Sequence, residues 1–286
     1  MATEDARKRL EDRLRGRGAL LGEASGALPS GAFAERLAAQ KDALVYVIAE
    51  YDVTKSMDRY ISIVEQNIRE VGEEIFENEK GIKVAICGVG DHSDGELWLQ
   101  RNDFTSDVST LDAQIRGIRR TNGGDDAEAY ECGFKEAAGV ASEIKIAHPT
   151  SKIAVVFIGD SIPHGMQQSQ YSDNGCPDGV DYRQSLAHLK AAADFFYFVG
   201  ATEVPTIVSL QKTLIDPTKP NERYVPLGSM VGDLPELLIA TIKQTRDPAH
   251  LADYLKQLGA GDPSKAGRVG GYLGLPPGDP PIGKFT

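Results

Sequence analysis

Apolar residues along this chain follow two alternating habits: short unbroken runs, and longer stretches with a period near 3.6. The runs lie at 44–49, 83–90, 153–159 and 195–201. They lack polar alternation, the pattern of strands covered on both faces within a mostly parallel sheet. Between the first two, Tyr60, Ile61, Ile63, Val64, Ile68, Val71 and Ile75 keep a helical period, with Glu65, Glu70 and Glu73 among the polar positions. Further helices are expected over 109–118, 126–143, 181–193, 204–214 and 234–245. The acidic first turn of the second of these suits the helix dipole. Residues 96–104 read as a short edge strand, because Arg101 and Asn102 interrupt the apolar character, and 223–227 as a last strand. Strands alternating with helices predict an α/β fold, a doubly wound, mostly parallel central sheet flanked by helices.

The first run ends in chemistry. Asp52 is followed by Thr54, Ser56 and Met57. A carboxylate followed by hydroxyls at two-residue intervals can turn three oxygens inward from one tight loop, and hard oxygens suit Mg²⁺ or Mn²⁺. The third run ends likewise on Asp160, and a glycine- and acid-rich stretch, RTNGGDDAEAY at 120–130, lies between them.

LVYVIAEYDVTKSM, at 44–57, resembles the D-x-[ST]-x-S-M signature of the von Willebrand factor A family. The 120–130 stretch is similar to the GGGDxPEA loop of one subgroup, with Asp125 where many members have threonine. DSIPHG, at 160–165, resembles the DxPPHG stretch of A domains found beside atypical alpha-type kinases. The resemblance covers roughly residues 42–245. It implies a Rossmann-like fold and a metal-ion-dependent adhesion site in which Asp52, Thr54, Ser56, Asp125 and Asp160 ligate Mg²⁺, with Mn²⁺ or Ca²⁺ as substitutes. It also implies a protein partner whose acidic side chain completes the metal shell, and binding rather than catalysis. Asp125 departs from the common pattern: three carboxylates around one divalent ion sum to a formal charge of about −1, which disfavours an acidic partner. Asp125 acting through water, a structural metal, or Thr121 in its place are the alternatives. The connection 160–181 is long for an α/β unit, and its His164, Tyr171 and Asp173 are polar groups that can meet the partner, with a hydrogen bond that holds its own loop as the other reading of His164.

Composition narrows the rest. The metal loops are spread across the 286 residues, which predicts one A-type domain at 42–246, with a helical extension at 1–41 and a C-terminal helix and flexible tail at 247–286. Gly267, Gly270, Gly271 and Gly274, followed by Pro276, Pro277, Pro280 and Pro281, predict neither helix nor strand from 266 onward. A net charge of −11 without a long basic cluster argues against nucleic acid. No window approaches the roughly eighteen apolar residues of a membrane span, and the first residues lack the apolar stretch of a signal peptide, so a cytoplasmic protein is expected. Cys87, Cys132 and Cys176, odd in number and without CxxC, read as reduced thiols. His92, His148, His164, His188 and His250 form no HExxH or HxH pair, so nothing points to zinc.

Two other classes compete. An aspartate-nucleophile phosphohydrolase of the haloacid dehalogenase kind also places Asp at the end of a buried strand and binds Mg²⁺. Here Thr54 stands where that chemistry normally keeps its second carboxylate, so Asp52 would attack unaided. A structural subunit using the fold without metal is the third reading.

Overall fold

Eight consecutive buried residues, Val45–Asp52, form β1 in the middle of a six-stranded sheet. The computed structural model describes residues 45–78, 80–124, 127–166, 175–227 and 232–275. After β1 come α1 (Asp58–Asn78), β2 (Ile82–Val89), β3 (Leu99–Arg101), α2 (Val108–Gly117), β4 (Ala127–Glu128) and α3 (Tyr130–Ala147). Then follow β5 (Lys152–Gly159), β6 (Ile162–Pro163), α4 (Tyr182–Ala192), β7 (Phe195–Gly200), α5 (Pro205–Lys212) and β8 (Glu222–Pro226). Three helices finish the described chain: α6 (Leu234–Arg246), α7 (Pro248–Gly261) and α8 (Pro263–Tyr272). The sheet order is β3-β2-β1-β5-β7-β8, parallel throughout except for β3, which runs antiparallel to β2.

The unbroken apolar runs arise because each strand serves two layers. Val45, Val47 and Tyr51 of β1 pack with Ile61, Val64 and Ile68 of α1 and with α6. Tyr46 and Ile48 face the other way, into a layer with Phe134 and Ile144 of α3 and Leu189 of α4. With helices on both faces, neither side of the strand can be polar without cost. Among the described residues no helix is long and apolar enough to cross a membrane.

Two expectations are corrected. The helix expected from 126 begins only at Tyr130. Ala127 and Glu128 instead pair in parallel with Ile162 and Pro163, and the amide of Ala129 donates to the Gly90 carbonyl at 3.1 Å. The tail expected from 266 is helical as far as Tyr272. The Asp262 side chain caps α8 by accepting from the Lys265 amide, Arg268 grips both oxygens of Asp233 at 2.7 and 2.9 Å, and Val269 and Leu273 are buried in the same core as α1. Each helical glycine costs about 0.5–1 kcal/mol, so tertiary packing overrides local propensity. The remainder of the tail and the extension at 1–41 lie outside the described residues.

Glu50 on β1 is a misfit in this core. It is buried, and neither carboxyl oxygen has a hydrogen-bond partner among the described residues. Burial, then repulsion by Glu136, holds its pKa well above the ordinary carboxylate value. Near pH 4 the group is protonated whether the chain is folded or not. As pH rises the unfolded chain ionises first, so folding loses up to about 1.4 kcal/mol per pH unit until the folded pKa is reached. Glu50→Gln should therefore match wild type near pH 4 and gain on it steadily towards pH 8 in urea unfolding. A difference independent of pH would contradict this.

Candidate metal centre

β1 and β5 are neighbours from which the strand order runs outward in opposite directions, and crevices for ligands open at the carboxyl ends of such a pair. Asp52 is the last residue of β1, and Asp160 follows the last residue of β5. Asp52 is fully buried. Its Oδ1 accepts from the Thr54 amide at 2.8 Å and the Thr54 hydroxyl at 2.6 Å, and its Oδ2 accepts from the Tyr130 hydroxyl. Thr54 Oγ1 lies 3.2 Å from Ser56 Oγ, which donates to Asp160 Oδ1 at 2.9 Å. Four oxygen-bearing side chains thus form one continuous cluster with a buried floor, Asp52 and Thr54, and an accessible rim, Ser56 and Asp160.

Local structure explains the convergence. After β1 the chain makes a single 3-10 turn, Lys55–Met57, closed by the Met57 amide on the Thr54 carbonyl at 3.0 Å. Buried Met57 anchors it and leaves Ser56 outside. The Thr121 amide donates to the Val53 carbonyl at 3.0 Å, which draws the second loop against the first. At Gly123, whose φ is +71°, a Cβ would lie 3.3 Å from Glu128 Oε1 and 3.6 Å from Thr54 Cβ. The loops pack so closely that the chain turns there through a glycine conformation.

The electrostatics point one way. Burial, then Asp160, pushes the Asp52 carboxyl up to about 7, and burial, then Asp52, pushes Glu128 up to about 10. Burial also raises Asp160, against the pull of Ser56. Three carboxyls converge, and the basic side chain that draws on one of them, Arg59 on Asp160, leaves all three raised. Glu128 Oε2 and Thr121 Oγ1 are buried without a hydrogen-bond partner among the described residues. An all-oxygen donor set with orphaned acceptors fits a hard divalent ion, Mg²⁺, Mn²⁺ or Ca²⁺.

Of the residues singled out from the sequence, Asp52, Thr54, Ser56 and Asp160 come together. Asp125, Tyr171 and Asp173 lie outside the described residues. His164 is corrected: it is only 4% exposed, and its amide and Nδ1 meet Glu131 carboxyl oxygens at 3.0 and 3.1 Å. It anchors its own loop instead of facing a partner. Glu131 lies at about 2, because hydrogen bonds to His164 and His92 outweigh its burial. Glu128 and Tyr130 escaped the sequence reading, since a Glu and a Tyr near a helix start look like ordinary surface and core positions. Gly159 was the available signal: a Cβ there would come within 2.2 Å of the Tyr130 hydroxyl.

No protein-family model and no curated protein matches the sequence. Solved structures do share the fold. The pilus adhesin SpaC from Lactobacillus rhamnosus GG, in its open conformation, superposes with a TM-score of 0.51 at 12% identity over 71% of this chain and 31% of that one. Proximal thread matrix protein 1 from the mussel byssus gives 0.51 at 13% identity over 72% of this chain and 48% of that one. The chain therefore spans less than half of either protein, and at such identities the likeness is one of fold alone.

Proposed function

We propose that this chain is a von Willebrand factor A-type module that binds a protein partner at a divalent ion, Mg²⁺ in the first instance, held by Asp52, Thr54, Ser56 and Asp160. The observation that carries this reading is the single oxygen cluster those four residues form at the carboxyl ends of β1 and β5. A divalent ion held there supplies positive charge at an open rim, which an acidic side chain of the partner can meet. Asp52 forms the charged floor. Thr54 and Ser56 are neutral donors, so they add oxygens without cancelling that charge. Ser56 and Asp160 stand where a partner would arrive.

Asp52 is a poor candidate for a nucleophile, because Thr54 engages one of its oxygens and Tyr130 the other. This favours binding over phosphoryl chemistry. The names of the two structural neighbours, an adhesin and a thread matrix protein, are compatible with an interaction role.

The test is capture by the immobilised full chain from an extract of its own cells. A protein retained in Mg²⁺, released by EDTA, and not retained by the Thr54→Ala/Ser56→Ala variant is the expected result. Retention indifferent to both EDTA and the double substitution would contradict the proposal.

A further inference from the structure

A second group of donors, separate from the oxygen cluster, has a different chemistry. His92 sits in the 3-10 turn His92–Leu97 that follows β2, Glu131 and Cys132 in the first turn of α3, and Cys176 at the end of the connection that leads to α4. Cys132 Sγ lies 3.6 Å from Cys176 Sγ and 3.6 Å from His92 Nε2. His92 Nε2 lies 3.3 Å from Cys176 Sγ and 3.1 Å from Glu131 Oε1. All four donor atoms fall within 4.8 Å of one another. In a tetrahedral zinc site, with Zn–S near 2.3 Å and Zn–N or Zn–O near 2.0–2.1 Å, neighbouring donors are about 3.3–3.8 Å apart. The observed separations are close to the edges of that tetrahedron.

We infer that His92, Glu131, Cys132 and Cys176 form a structural Zn²⁺ site, distinct from the oxygen cluster and independent of any Mg²⁺ bound there. Two sulfurs and an imidazole select a softer ion than Mg²⁺ or Ca²⁺. Four protein donors leave no open position, which marks a structural rather than a catalytic zinc. The surroundings are those of a built site. Glu131 is fully buried, and His164 holds it through both its amide and its ring. Asp178 Oδ2 stands 3.6 Å from His92 Nδ1, on the side of the ring away from the cluster. A carboxylate placed there orients a ligating imidazole and raises its basicity. His92 itself is set by Asp91, which accepts from the His92 amide at 2.7 Å and from the Ser93 amide at 3.3 Å. Zinc at this point ties the turn after β2 and the long connection after β6 to the start of α3.

The experiment uses the full chain, purified under a thiol reductant without chelator and then incubated with equimolar Zn²⁺ and no Mg²⁺. The expected result is one Zn²⁺ retained per chain through desalting, and none in Cys176→Ser, whose half-exposed loop position spares the core. Because Cys132→Ser in buried α3 is a harsher change, Co²⁺ loading of the unaltered chain gives a second readout: thiolate-to-cobalt charge-transfer absorption in the near ultraviolet with the visible bands of tetrahedral cobalt. Zinc retained equally by Cys176→Ser, or wild type without zinc and without the thiolate–cobalt band, would overturn the assignment. So would a Cys132–Cys176 disulfide that persists under the reductant in place of metal. Neither readout involves Asp52, so failure here leaves the adhesion proposal standing, and the reverse.

Discussion

Phe157→Ala should destabilise the domain by about 3–5 kcal/mol, the cost of removing a large buried ring and leaving a cavity. Phe157 is fully buried on β5, with ring centroids 4.7 Å from Tyr130, 4.9 Å from Phe134 and 5.6 Å from Phe198. Those rings belong to α3 and β7, whose backbones are fixed by the sheet and by helix packing, so the cavity cannot close by a small local shift. Urea unfolding in EDTA measures the loss free of any metal contribution. A loss below about 1 kcal/mol would mean that the layer between the sheet and α3 repacks freely, against the close packing expected of such interiors. Tyr130 leans on Phe157 and donates to Asp52, so the same substitution loosens the floor of the oxygen cluster.

Much of this arrangement is legible in the chain because its signals are local. The run ending on Asp52 and the run ending on Asp160 declare strands buried on both faces, and carboxylates just past such strands belong at the crevice of a doubly wound sheet. Thr54 and Ser56 follow within one turn, so their spacing alone places them. What depends on distant partners is silent. Glu128 is drawn to Thr54 by the bridge between 127–128 and 162–163, which no periodicity announces. α8 forms despite its glycines because Arg268 finds Asp233, 35 residues earlier. Cys132 and Cys176 are 44 residues apart, and His92 is 40 residues before Cys132. Metal patterns are recognisable in sequence when ligands recur within a few positions, so three well-separated segments left no signature even though the fold brings their donors together. For a related reason His164 left two readings open: a polar residue on a long loop looks solvent-facing until Glu131, 33 residues earlier, is seen to claim it.

A divalent ion held by the Asp52 cluster has a large energetic consequence. An ion at a hundred times its dissociation constant stabilises the folded state by about 2.7 kcal/mol. Asp52→Asn keeps the shape of the side chain and removes one of the converging charges. In EDTA this variant should unfold no earlier than wild type, since burial and Asp160 already disfavour the ionised form of Asp52. In Mg²⁺ it should gain nothing. The direct measurement is a calorimetric titration of Mg²⁺ into the EDTA-stripped, dialysed full chain, paired with urea unfolding at the end point. One ion bound per chain and a matching rise in unfolding free energy are expected for wild type, both absent in Asp52→Asn. No binding heat and no stabilisation of wild type at millimolar Mg²⁺, or an equal stabilisation of Asp52→Asn, would contradict it.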